Sequence, residues 1–264
     1  MQSLIAIATI GLYLASFVLL LRKTRQRGAI TPFLTTMLAG MALHAAFLHF
    51  SIFRFQHLHL NFYSVSPLIF FVIAIISLVS LLRRQPTDNL LLFYFPLASL
   101  GIAFAAWVPA SETKIITEPG LIAHIVLSIL AYSMITIAAL HAVMLTLQEH
   151  ALKKHHFTGV FRFLPALQTM ELLLFEMLVT GFILLTLAIA SGFAFLDDMF
   201  AQHLAHKTIL SIIAWLIFAT LLVGRQLWGW RGKIATRWTL GGFLALMLAY
   251  FGSKFVLEIL LTQA

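Results

Sequence analysis

The chain has 264 residues, of which 61% are hydrophobic and only 10% are charged. Soluble domains are about 45–50% apolar and about 25% charged, so these proportions exclude a water-soluble globular protein. The net charge of +8 does not by itself indicate nucleic-acid binding, because lysine and arginine also accumulate in the cytoplasmic loops of membrane proteins. The chain contains no cysteine, which excludes disulfides and thiolate metal sites.

Eight apolar stretches, separated by charged or turn-rich breaks, follow one another along the chain. Each is long enough to cross about 30 Å of hydrocarbon as an α-helix, whereas isolated strands would leave backbone groups unpaired in lipid. We therefore predict an all-α polytopic membrane protein, a bundle of eight transmembrane helices that forms a single transmembrane domain over 1–264. The predicted spans are approximately 3–21, 33–53, 64–82, 90–108, 121–146, 172–196, 206–223 and 238–261.

Lysine and arginine alternate from loop to loop. The loops after spans one, three, five and seven carry 13 of them, whereas the loops after spans two, four and six carry three. Because such residues mark cytoplasmic loops, both termini are expected on the outer side (N-out/C-out), and no nucleic-acid partner is expected.

One segment differs from a plain span. Pro165 opens the stretch 166–175, in which Gln168 and Glu171 interrupt leucine and methionine. Proline is favourable at the first position of a helix. This pattern predicts an amphipathic helix at the cytoplasmic interface that leads into span six.

Eleven histidines indicate function, because ionisable groups are costly inside membrane spans. His44 lies near the middle of span two, His124 one turn inside the outer end of span five, and His206 at the outer entrance to span seven. If these spans are neighbours, the three imidazoles converge with His49 in the outer half of the bundle. Imidazole binds haem iron, zinc or copper, and two imidazoles from facing helices can supply both axial ligands of a haem. The alternative for each histidine is a hydrogen bond to a neighbouring helix.

A surface zinc site is the competing interpretation. His203 and His206 are three residues apart and share a helix face, so both could bind one zinc ion at the outer surface. The further ligands considered for this site are Asp197, Asp198, His49, His57 and His59.

Span eight carries a lysine and a glutamate four residues apart, Lys254 and Glu258. The two side chains could neutralise each other, with the lysine reaching outward to the interface. Alternatively, Lys254 could pair with a carboxylate substrate such as a haem propionate.

Six short segments form a pattern that is densest between residues 120 and 258. They are 121–124 (LIAH), 130–132 (LAY), 163–165 (FLP), 206–215 (HKTILSIIAW), 229–233 (GWRGK) and 250–258 (YFGSKFVLE). Together they resemble the cytochrome c assembly membrane proteins, and most closely the HemX/YpjD-like branch related to CcsA.

This resemblance implies a multi-pass protein of the bacterial inner membrane that handles haem b in cytochrome c maturation or a related pathway. By position, His124 and His206 match family histidines that we expect to bind the haem iron, with His44 as an alternative ligand deeper in the bundle. Synthase subunits of the family present haem on a tryptophan-rich segment, but 197–206 contains no tryptophan, and span eight lacks their late histidine. We therefore expect a haem-binding protein without ligase activity and without catalytic residues.

Two other functions remain open. A transporter would be expected to have broken helices, for which Gly181, Gly192 and Gly241-Gly242 are weak candidates. An accessory subunit would bind another membrane protein of a haem or cytochrome pathway through close-packing small residues such as those at 39–46. In every case the lipid bilayer is a partner.

Overall fold

A computed structural model describes residues 2–26, 30–54, 57–60, 62–83, 90–108, 114–153, 165–195 and 205–252. Eight α-helices account for most of these residues. They are α1 (Gln2–Gln26), α2 (Ile30–Ile52), α3 (Phe62–Leu82), α4 (Leu90–Trp107), α5 (Pro119–Lys153), α6 (Leu167–Phe195), α7 (Ala205–Trp228) and α8 (Lys233–Met247).

Helices α1 to α7 are long and apolar enough to cross a membrane, which confirms the prediction of an all-α polytopic membrane protein. Helix α8 is shorter, but a π-helical turn at Leu248–Gly252 continues it. The rest of the predicted eighth span, 253–261, lies outside the described residues. Large apolar side chains that face outward, such as Ile183 and Leu216, match a surface solvated by lipid rather than water.

The structure also contains three short strands that the hydrophobic pattern did not predict. They are β1 (Phe53–Arg54), β2 (His57–Leu60) and β3 (Lys114–Ile116). Strand β2 is central and pairs antiparallel with both others; for example, Leu58 is opposite Phe53 on β1 and opposite Ile116 on β3. Runs of two to four residues are too short for periodicity to distinguish them from a loop.

The predicted interfacial segment 166–175 is the beginning of α6. The helix continues without a break from Leu167 to Phe195 and therefore includes the predicted sixth span as well. Helix α5 begins at Pro119, where the absence of an N–H costs nothing because the first amides of a helix have no intrahelical acceptor.

The chain was expected to form one transmembrane domain, and its residues group into two compact units. The first unit comprises residues 1–118 and 151–165, and the second comprises 119–150 and 166–264. In the first unit, α1 packs against α2 and α4, and α3 packs against the same two helices. Its core is rich in aromatic side chains, including Tyr13, Phe33, Phe47, Tyr94 and Phe95.

The second unit has a mostly aliphatic core, and glycines lie at several of its helix contacts. A Cβ atom at Gly181 on α6 would lie 2.7 Å from Ile135 on α5. A Cβ atom at Gly242 on α8 would lie 2.5 Å from the Phe218 ring on α7. Both glycines therefore allow neighbouring helices to approach more closely than any other residue would.

Candidate functional site

His124 on α5 is held in one orientation by α6. Its Nδ1 atom lies 2.9 Å from the Ala188 carbonyl oxygen and 3.2 Å from the Ser191 hydroxyl oxygen. The Ser191 hydroxyl itself donates to that carbonyl, at 2.8 Å. Because a carbonyl only accepts, the imidazole hydrogen must be on Nδ1, and Nε2 then carries the lone pair in the neutral ring.

This arrangement suits a metal-binding histidine. Ligating histidines commonly donate their second ring nitrogen to a carbonyl or carboxylate, which fixes the ring and increases the basicity of the ligating nitrogen. The Nε2 atom of His124 makes no hydrogen bond within the described part of the chain. The side chain is half-buried, so this nitrogen is available as an electron-pair donor at the helix surface.

The position of His124 follows from how the first turns of α5 contact the last turns of α6. Gly120, one turn before the histidine, faces the Phe195 side chain, and a Cβ atom there would lie 2.6 Å from that ring. The glycine therefore lets the end of α6 lie directly against α5. This contact places the backbone of Ala188 within reach of the imidazole.

His206 lies in the first turn of α7 and is half-buried. Its Nε2 atom is buried and has no hydrogen-bond partner among the described residues. An unpaired buried nitrogen of this kind costs about 1–3 kcal/mol. His206 is thus a second imidazole of the second unit with an unused nitrogen.

The two histidines lie towards the same end of α6. The Trp215 indole donates to the Thr186 hydroxyl at 2.8 Å, so these residues are at one level of the antiparallel α6–α7 pair. Nine residues before Trp215 on α7 is His206, and nine residues after Thr186 on α6 is Phe195. His124 contacts α6 at 188–191. These residues lie four to seven positions before Phe195, which corresponds to roughly 6–10 Å along the helix axis at 1.5 Å per residue.

His44 has a different environment, in the first unit. Its Nδ1 atom lies 2.9 Å from the Tyr13 hydroxyl oxygen, and the Tyr94 hydroxyl donates to Tyr13 at 3.1 Å. All three side chains are fully buried. Since Tyr13 accepts from Tyr94, its own hydrogen is directed to His44 Nδ1. The Nε2 atom of His44 is buried and has no hydrogen-bond partner among the described residues.

His44 therefore has one hydrogen-bonded nitrogen, Nδ1, and one buried nitrogen, Nε2, without a partner among the described residues. Its ring also packs edge-on against Tyr13 and Phe71, with centroids 5.7 Å and 5.3 Å apart. Its expected convergence with His124 and His206 stays a prediction, because these residues belong to the other unit.

The other predicted site residues lie elsewhere in the chain. His49 is exposed on α2, and His57 and His59 lie on β2. Nowhere in the described ranges do three or more His, Cys, Asp or Glu side chains group in a way that could hold a metal ion. The remaining predicted residues, Asp197, Asp198, His203, Lys254 and Glu258, lie outside the described residues.

Sequence reasoning missed an ion-pair cluster at the other end of the second unit. Glu171 on α6 is almost buried, with 11% of its side chain exposed, and its Oε1 atom accepts from Arg225 Nη1 at 3.1 Å and Arg231 Nε at 3.0 Å. The Arg225 guanidinium also lies 3.6 Å above the Phe175 ring. The available signal was a glutamate at the start of a predicted span, together with the arginines of the loop after span seven, which is predicted to lie on the same side of the membrane.

Comparison with known proteins agrees with this architecture. The family described as "Cytochrome C assembly protein" matches residues 31–261. The "Inner membrane protein YpjD" of Escherichia coli (strain K12) is 32% identical over 172 residues, and the match covers 65% of each chain. An "Uncharacterized 28.8 kDa protein in nifR3-like 5'region" of Azospirillum brasilense is 35% identical over 140 residues, or 52% of each chain.

A more distant relative is the "Cytochrome c biogenesis protein CcsA" of Prochlorococcus marinus (strain MIT 9515). It is 22% identical over 218 residues, covering 71% of this chain and 70% of the relative. The chain spans about 65% of the length of the first curated relatives it matches, and no solved structure matches it. Because the family match covers most of the sequence, this multi-pass membrane protein belongs to the cytochrome c assembly protein family.

Proposed function

We propose that the protein is a haem-binding component of the bacterial inner membrane that holds haem b between the helices of its second unit. The observation that supports this most directly is the hydrogen bond from His124 Nδ1 to the Ala188 carbonyl. That bond leaves Nε2 as an oriented donor of an electron pair, which is what a haem iron requires from an axial imidazole.

His206 is the proposed second iron ligand. Its Nε2 atom is buried without a hydrogen-bond partner in the described structure, and metal coordination would satisfy it. Haem iron accepts neutral imidazole nitrogens in its axial positions, and its potential depends on those ligands and on the polarity around them. The residues present therefore fit the cofactor in donor type and in their location at one end of α6.

The other predicted binding residues have secondary roles in this proposal. His44 belongs to the first unit and stays a predicted alternative ligand only, and its Nδ1 atom is already hydrogen-bonded to Tyr13. Lys254 is proposed to pair with a haem propionate. The family and the printed names of the relatives, an inner membrane protein and a cytochrome c biogenesis protein, support a role in cytochrome c maturation at the inner membrane.

We further propose that the protein binds or passes on haem without ligating it to a cytochrome. This part rests on the segment 197–206, which has no tryptophan, whereas haem-presenting synthase subunits are rich in tryptophan there. Transport of another solute has less support. Helix α6 is continuous across Gly181 and Gly192, and α8 is continuous across Gly241 and Gly242, so these glycines do not break the helices.

A haem titration of the purified protein tests the proposal. Haemin added to the protein in detergent is expected to give a Soret band that saturates at one haem per chain. H124A and H206A are each expected to weaken binding at least tenfold. H141A is the matched control, because His141 is a buried histidine of the same α5 helix with a similar bond from Nδ1 to a carbonyl, that of Ile137. It lies 17 residues further along α5, about 26 Å from His124 at 1.5 Å per residue, and so tests position rather than residue type.

Two results would contradict the proposal. The first is the absence of a saturable Soret band in the wild-type protein. The second is a band that H124A and H206A change no more than H141A does.

A further inference from the structure

Four cationic side chains gather around the turn between α7 and α8. We call Arg225, Arg231, Lys233 and Arg237 the basic rim. The acceptor within this cluster is Glu171, which bonds to the first two of them. Four positive charges against one carboxylate leave the cluster with a formal charge of +3.

The rim has hydrogen-bond donors to spare. A guanidinium has five N–H donors, and Arg225 and Arg231 each use one of them on Glu171, with no other acceptor among the described residues. The side chain of Arg231 is 61% exposed. Lys233 and Arg237 are both exposed, and at a spacing of four they lie on one face of α8 and repel each other.

Two glycines fix the turn that carries Arg231. Gly229 and Gly232 have φ values of +64° and +53°, a backbone conformation that is strained for other residues. Between them, the Trp230 ring lies on the backbone of Gly224, where a side chain of any size would collide with it. The turn is therefore a packed structure that places Arg231 above Glu171.

Three indoles flank the rim. Trp228 and Trp230 are stacked with centroids 5.7 Å apart, and Trp230 and Trp238 have centroids 5.4 Å apart. Trp228 is 65% exposed. Tryptophan prefers the interface between lipid tails and headgroups, so these rings indicate that the rim lies at headgroup level.

We propose that the basic rim binds the phosphate group of an anionic phospholipid on the side predicted to be cytoplasmic. A phosphodiester accepts paired hydrogen bonds from guanidinium groups, and basic surfaces between helices on this side suit anionic headgroups. The positive-inside tendency accounts for cations in this loop. It does not account for a carboxylate that orients two guanidiniums or for a turn built from two left-handed glycines.

This site is independent of the proposed haem site. Arg225 lies at the end of α7, whereas His206 lies at its beginning. Loss of lipid binding would therefore leave the haem titration unchanged, and the reverse also holds.

Thermal unfolding of the full chain in detergent tests the proposal, with short-chain phosphatidylglycerol as the probe. Wild-type protein is expected to gain thermal stability with phosphatidylglycerol, and not with phosphatidylcholine or inorganic phosphate at the same concentrations. K233Q/R237Q should raise the half-maximal lipid concentration at least tenfold, while leaving the bonds to Glu171 intact. R22Q/R83Q removes two exposed cations of the first unit and should change the half-maximal lipid concentration less than twofold.

Native mass spectrometry of the same variants gives a second readout, the number of lipids that remain bound, and R237Q alone provides a milder substitution. An equal loss of phosphatidylglycerol binding in K233Q/R237Q and R22Q/R83Q would overturn the proposed site. Stabilisation of the wild-type protein by phosphatidylcholine as strong as that by phosphatidylglycerol would overturn it as well. Stabilisation by inorganic phosphate alone would overturn its assignment to a lipid.

Discussion

Tyr13 is the central member of the buried hydrogen-bonded chain from Tyr94 to His44, so its hydroxyl can be tested by Y13F. The substitution keeps the ring and removes two hydrogen bonds, of 3.1 Å and 2.9 Å. It leaves the Tyr94 hydroxyl and His44 Nδ1 without partners in a site that is fully buried. Each orphaned group costs about 1–3 kcal/mol in soluble proteins, whereas hydrogen bonds inside membrane proteins average about 0.6 kcal/mol.

Between these limits, we expect Y13F to lower the free energy of unfolding by about 2 kcal/mol. Y94F provides the comparison, because the Tyr13 hydroxyl can still donate to His44 when Tyr94 is gone. Y94F loses only one hydrogen bond, so we expect its free energy of unfolding to fall by about 0.6–1 kcal/mol. The assay is reversible unfolding in mixed micelles with increasing denaturing detergent. A Y13F variant that is no less stable than Y94F would refute the hydrogen-bonded chain from Tyr94 through Tyr13 to His44.

Two further predictions concern the second unit. E171Q keeps one oxygen acceptor but removes the negative charge shared by two arginines, one of them largely exposed. We therefore expect the free energy of unfolding to fall by about 1–2 kcal/mol in the same assay. A fall below about 0.3 kcal/mol would show that the ion pairs are solvated. G242A forces a methyl group against the Phe218 ring and should cost about 1–3 kcal/mol. Its neighbour Gly241 has no atom within 4 Å of such a methyl group, so G241A should be neutral or stabilising, and equal melting temperatures for the two variants would contradict the packing.

The helices were largely predictable because each apolar run is long and ends at charged or turn-forming residues. The predicted span 90–108 corresponds to Leu90–Trp107, and 64–82 corresponds to Phe62–Leu82. Where a predicted span is shorter than the observed helix, polar residues continue the helix beyond the hydrocarbon layer. Helix α5 extends to Lys153, seven residues past the predicted end at 146, because interfacial residues lower hydropathy without interrupting the helix.

The partners of the buried polar groups could not be predicted. Hydropathy identified His44 as an intramembrane histidine, but its partner Tyr13 is 31 residues away, on a helix whose rotation the sequence does not specify. The orientation of His124 likewise depends on a backbone carbonyl of α6, and carbonyls leave no sequence signal. Helix contacts of this kind depend on which helices are neighbours.

The Glu171 cluster was missed for a related reason. A polar residue near the predicted start of a span is normally solvated at the interface. Here the turn after α7 returns Arg231 towards α6, so that the carboxylate is enclosed between two arginines. The glycines at 229 and 232 were visible in the sequence as part of a family-like motif, but their positive φ angles become informative only with coordinates.

The spin state of the haem-loaded protein tests most directly whether His124 and His206 supply both axial ligands of one haem, as proposed. With two imidazole ligands, the wild-type spectrum should be six-coordinate and low-spin. H124A and H206A should each give a high-spin spectrum that added imidazole returns to low-spin, whereas H141A should match the wild type. A low-spin spectrum that survives loss of both His124 and His206 would contradict the account.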